Sequence, residues 1–169
     1  MISIENVLND DKVKKEYRKA LLLNMFKKLV QMMNCDEAYR QKVKKLYSQS
    51  TNCFETTLIV FQKQFSVALS DSDSELLYSW INAYFLKKPK RKAISLDIKS
   101  DLLKKQNGKC AVCGGDLGKG NFKVHIDHIV PWTLVGDELN DNYQALCEFC
   151  NECKSSHVDY IFKQLLHLN

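Results

Sequence analysis

The apolar positions of the first ninety residues recur at helical spacing. Between Lys12 and Met33, Val13, Tyr17, Ala20, Leu21, Phe26 and Leu29 fall near one stripe, and from Asp36 to Tyr47 a shorter stripe holds Tyr39, Val43 and Leu46. From Thr51 onward Phe54, Leu58, Phe61, Phe65 and Leu69 step by four, three, four and four, which predicts a third helix. Ser72-x-x-Glu75, just ahead of Leu76, Leu77, Trp80, Ile81 and Tyr84, reads as a capping box that opens a fourth. Its hydroxyl would take an orphan amide and its carboxylate would reach back. About four such helices are expected to close into a small bundle, with the aromatic stripes as its core.

The pattern stops at Lys87-Lys88-Pro89-Lys90-Arg91-Lys92, where proline removes a donor and five cations in six residues repel one another. A basic linker over 89–94 is expected here, dividing a helical domain at 1–88 from a second domain at 95–169. Contact with a phosphate backbone is the other reading of the same charges. A helix is expected again from Ser95 to Asn107, with Ile98, Leu102 and Leu103 inward and Gly108 placed to end it. Gly114-Gly115-Asp116 and Gly118-Lys119-Gly120 read as tight turns. The period then changes, because Phe122 to Val130 alternates as a strand that Pro131 terminates. A loop to about Asp141 follows, then a helix with Asn151 and Lys154 on one face. Val158, Ile161, Phe162, Leu165 and Leu166 predict a final amphipathic helix. The fold class expected is mainly α with a small β hairpin.

At 169 residues and 45% hydrophobic, the chain can bury a substantial core. No window approaches the roughly 18 unbroken apolar residues of a membrane span, and the first residues lack a basic flank followed by an apolar block. A soluble, cytoplasmic protein without membrane contact is therefore expected. The net charge of +5 is uneven: residues 1–94 hold 17 Lys and Arg against 10 Asp and Glu, and residues 95–169 hold 8 against 10. The helical half is thus the part suited to a polyanion, unless its lysines merely solvate the surface.

Seven cysteines is an odd number, and Cys110-x-x-Cys113 and Cys147-x-x-Cys150 form two tight pairs. That usage fits thiolate metal ligation in a reducing compartment better than a disulfide framework. Zinc takes four tetrahedral thiolates, and a closed site of that kind stabilises a fold rather than catalysing. Cys153 overlaps the second pair; because a ligand turn normally precedes its helix, Cys147 and Cys150 are taken as ligands and Cys153 as spare. Cys35 and Cys53 lie in apolar helical stretches and are expected to be small core residues.

Between the pairs runs Val124-His125-Ile126-Asp127-His128-Ile129-Val130-Pro131. Phosphodiester hydrolysis needs a base to activate water and a divalent cation to carry oxygen charge. A neutral imidazole, His128, suits the first task near pH 7. Oxygens from Asp127 and from Asn151 on the following helix suit the second, as hard ligands for magnesium or manganese. His125 shares the strand face of Asp127 and is expected to be exposed.

Residues 108–154, from Gly-Lys-Cys-Ala-Val-Cys-Gly through Ile-Asp-His-Ile-Val-Pro-Trp to Asp-Asn-Tyr-Gln-Ala-Leu-Cys-Glu-Phe-Cys-Asn-Glu-Cys-Lys, resemble an HNH endonuclease of the ββα-metal type with a four-cysteine, treble-clef-like zinc knot. The resemblance reaches about residue 95 if the preceding helix is included; the first ninety residues resemble no family. It implies that His128 is the general base and Asp127 a catalytic-metal ligand. Asn142 would brace the loop between strands and orient the base. Asn151 would be the second metal ligand, where other members use His, and Lys154 would contact substrate phosphate. The implied function is metal-dependent cleavage of DNA in bacterial or phage restriction, defence or DNA processing. Two alternatives stay open: a non-catalytic zinc module that binds nucleic acid or protein, and a nuclease subunit active only in a complex, docked through its N-terminal helices. Cut sequence, strandedness, RNA as substrate and oligomeric state are not legible.

Overall fold

The computed structural model describes residues 10–118 and 123–154. The expected final helix, at Val158 to Leu166, lies outside them. Among the described residues are seven helices and a two-stranded antiparallel sheet, in the order α1 (Asp11–Cys35), α2 (Glu37–Ser48), α3 (Cys53–Phe65), α4 (Asp71–Leu86), α5 (Leu96–Lys105), β1 (Val124–His128), α6 (Trp132–Val135), β2 (Tyr143–Cys147) and α7 (Glu148–Lys154). The protein is mainly α with a small β hairpin, and none of these helices is long and apolar enough to cross a membrane.

Contacts divide the chain into two compact units. One is helical, built from Leu21–Pro89 and Trp132–Asn140; the other holds the remaining described residues, including the sheet. The boundary after Ala20 falls inside α1, so that one helix is buried at Val13 and Ala20 in the second unit and at Leu22, Leu23, Phe26, Leu29, Val30 and Met33 in the first. A single stripe cannot describe a helix with two different partners. Tyr17 and Leu21, expected inward, are 47% and 46% exposed.

In the helical unit, Phe26 meets Trp80 with ring centroids 5.7 Å apart, and Tyr47 stacks on Tyr78 at 5.2 Å. The Tyr84 hydroxyl donates to Asn34 Oδ1 at 2.7 Å, so this aromatic core keeps its polar end satisfied. Asp36, Asn52 and Ser70 cap α2, α3 and α4 by accepting amides three residues on. The capping box at α4 is Ser70 with Asp73, two residues before the Ser72–Glu75 pair expected. The amide of Asp73 donates to Ser70 Oγ at 3.3 Å and the amide of Ser70 donates to Asp73 Oδ2 at 3.1 Å. A shorter acid does the work of the usual Glu, which hid the true start.

α3 ends at Ser66, whose left-handed φ of 53° turns the chain away and leaves Leu69 beyond the helix. Cys35 and Cys53 are not core residues: Cys35 is exposed at the end of α1 and Cys53 half-buried at the start of α3. The expected loop after Pro131 contains α6, which packs on α4. Gly136 closes it at φ +62°, where a Cβ would come within 2.9 Å of Lys87 Cβ, so only glycine fits.

Candidate metal centre and active site

Cys110 and Cys113 sit on a tight turn after α5. Cys110 N donates to Gly115 O at 2.8 Å and Gly114 N to Cys110 O at 2.9 Å, while Gly114 takes φ +69° to complete the reversal. The second pair arrives differently, since Cys147 ends β2 and Cys150 lies in the first turn of α7. All four Sγ atoms lie within 4.8 Å of one another, with Cys113 and Cys147 4.0 Å apart. Thiolates bound to one zinc ion at the usual bond length stand about 3.8 Å apart, so the cluster suits a tetrahedral ion after small shifts.

Backbone amides already point at the sulfurs: Cys147 N at Cys110, Gly115 N at Cys113 and Cys150 N at Cys147, each at 3.4 Å. Burial works against a thiolate at Cys110, but amides of Cys113, Cys147 and Val112 outweigh it and hold this thiol below its ordinary pKa. Burial keeps Cys113 and Cys150 above theirs. Cys110 is therefore held closer to its thiolate form than Cys113 or Cys150, the form a metal requires. Beneath the knot, Cys110, Leu117, Ala145, Leu146 and Cys150 form one buried cluster, with Leu102, Leu103 and Ile126 packed against it.

β1 and β2 pair with Ile126 opposite Ala145, Asp127 opposite Gln144 and His128 opposite Tyr143. Successive strand residues face opposite sides, so His125 and Asp127 share the face opposite that of His128. His125 is not exposed: its side chain is 25% accessible, with Nε2 3.9 Å from Glu148 Oε1. α7 packs against both strands and carries Asn151, half-buried, and Lys154, which is 3% exposed.

The Lys154 ammonium donates to Asp127 Oδ2 and to the His128 carbonyl. Burial lowers the pKa of Lys154, and the Asp127 carboxylate acts against that shift. The lysine expected at a substrate phosphate thus neutralises the candidate metal ligand inside the protein. Asn142 is 4% exposed and grips the chain after β1: its Oδ1 accepts from Val130 N at 2.7 Å, its Nδ2 donates to Val130 O at 3.0 Å, and its carbonyl accepts from Ile129 N at 2.8 Å.

His128 is 2% exposed. Its ring lies 4.7 Å from that of Tyr143, and its Nδ1 is 3.2 Å from an Arg91 guanidinium nitrogen. Neither neighbour was singled out in the sequence. Tyr143 stood visible beside Asn142, but nothing local signals that Arg91, within a run of linker-like charge, reaches a histidine 37 positions on. Among the described residues the four cysteines are the one group of three or more His, Cys, Asp or Glu side chains arranged for a metal. Asp127 and Asn151, the ligands expected for a catalytic ion, offer one carboxylate and one amide oxygen, a donor set of the kind magnesium takes when substrate phosphates complete the shell.

Residues 110–166 match the family model described as HNH endonuclease, about a third of the chain. The described part of that stretch contains the four clustered cysteines, Asp127, His128, Asn142, Asn151 and Lys154. No curated protein matches the chain, and no solved structure does.

Proposed function

We propose that the unit holding the sheet is a metal-dependent HNH endonuclease that hydrolyses phosphodiester bonds in DNA. The observation that carries this reading is the Asp127–His128 pair at the end of β1, beside α7 and within the residues that match the family. His128 takes the proton of the attacking water while the phosphorus–oxygen bond to the leaving group breaks. Asn142 fixes the segment that follows His128, and so the direction of its ring. Asp127 and Asn151 would hold magnesium or manganese, which when bound carries charge on the nonbridging and leaving oxygens. Zinc at the four cysteines would hold β2 and α7 to the turn after α5. Lys154 is better read as the cation that keeps Asp127 neutralised than as a direct phosphate contact, since its ammonium is buried and engaged.

The excess of Lys and Arg over Asp and Glu in residues 1–94 favours DNA over a neutral partner. Restriction, defence against mobile elements and DNA processing are the settings in which such cleavage serves. The test is nicking of supercoiled plasmid with magnesium, manganese or EDTA, beside a His128→Ala protein that retains its zinc. Cutting should require the added metal and fall about 1000-fold in the variant, the scale of a lost general base. An equally active His128→Ala protein removes the assignment. A folded, zinc-loaded wild type that cuts nothing favours the binding module or the complex-dependent subunit.

A further inference from the structure

We propose that Arg91 couples substrate binding to the availability of the candidate base: its guanidinium occupies His128 Nδ1 in the free protein and passes to a DNA phosphate in the complex, uncovering that nitrogen. The inference rests on the endonuclease reading above. Arginine has only donors and keeps its charge at any working pH, so in this contact Nδ1 is the acceptor and the ring proton resides on Nε2. The lone pair that a general base needs is the one Arg91 covers.

Burial makes the same point independently. A base 2% exposed cannot meet a water and a phosphate unless a neighbour leaves. Tyr143 is held opposite His128 by the register of the sheet, whereas Arg91 is exposed and lies in an irregular segment between α4 and α5. Arg91 is thus the neighbour free to move. A phosphate supplies the reason, because a guanidinium binds it through paired hydrogen bonds between opposite charges, whereas a neutral imidazole offers it a single lone pair. Lys90 and Lys92, both exposed, flank Arg91 and add attraction for the same backbone.

Full-length, zinc-loaded wild type, Arg91→Ala and Arg91→Lys proteins test this in two arms. Without DNA, carbethoxylation of His128 by diethyl pyrocarbonate, followed by peptide mass spectrometry, should run about tenfold faster in Arg91→Ala, because the acceptor nitrogen is no longer covered. With plasmid and magnesium or manganese, Arg91→Ala should raise KM about tenfold with kcat nearly unchanged, and flatten the dependence of log KM on log salt by about one unit. Arg91→Lys should restore the salt slope. An unchanged modification rate overturns the cap, and an unchanged slope overturns the phosphate contact; either sinks the coupling. A wild type that cuts nothing removes the endonuclease reading itself, which is a different result from a cutting wild type that Arg91→Ala leaves unaltered.

Discussion

Asn142 spends its whole side chain on one neighbour. Both backbone groups of Val130 are satisfied by its amide, in a place closed to water. Asn142→Ala should leave a buried N–H and a buried C=O unpaired and cost about 3 kcal/mol, read as a lower urea midpoint. Asn142→Asp should not rescue it, since a second oxygen would face the Val130 carbonyl where a donor is required. At this scale the sequence singled out candidates for the chemistry, because Asp127, His128, Asn142 and Asn151 are unusual together inside a cysteine frame. Which atoms touch was hidden: the Arg91–His128 and Lys154–Asp127 contacts depend on chain folding over 37 and 27 positions. A periodicity argument sees only a few residues at a time.

Among the elements, helix centres were legible and helix starts less so. In α3 the expected stripe is buried at Phe61 and half-buried at Phe54, Leu58 and Phe65, with Thr57 and Val60 completing the buried side, and Leu77, Trp80 and Ile81 are buried in α4. Caps are decided by one hydroxyl and one amide, and Ser70, Ser72 and Ser74 offered three similar hydroxyls within five residues. Ser70→Ala should therefore destabilise the protein by about 1 kcal/mol, whereas Ser72→Ala, already inside α4, should change the thermal midpoint little. The second cysteine pair was readable as part of a thiol cluster because its spacing is local. β1 was readable by alternation, whereas β2 and α6, a single turn of helix inside the β1–β2 connection, were not.

For the whole molecule, compactness and chain order disagree. Trp132–Asn140, which follows β1 and precedes β2, belongs by contact to the helical unit, where the Lys87 ammonium donates to the Thr133 carbonyl at 2.9 Å and Val135 is fully buried. A fragment beginning at residue 95, the natural choice from the basic run, would carry α6 without α4 and lose the start of α1. We expect it to unfold at a lower temperature than the full chain and to show non-coincident fluorescence and circular-dichroism transitions. A fragment as stable as the full chain would instead favour the contiguous division at 89–94. Charge, by contrast, was legible from the start, because it depends on composition alone.

A two-stranded sheet ordinarily leaves two open seams. On β2, however, the backbone of Ala145 is already claimed: its N–H donates to Gln106 Oε1 at 2.8 Å, and its carbonyl accepts from Gln106 Nε2 at 3.0 Å and from Ala111 N at 3.1 Å. The primary amide of glutamine presents the same donor and acceptor as a peptide group, so Gln106 serves as a one-residue third strand. A second copy of this protein meeting that edge would find the seam sealed against strand exchange at Ala145.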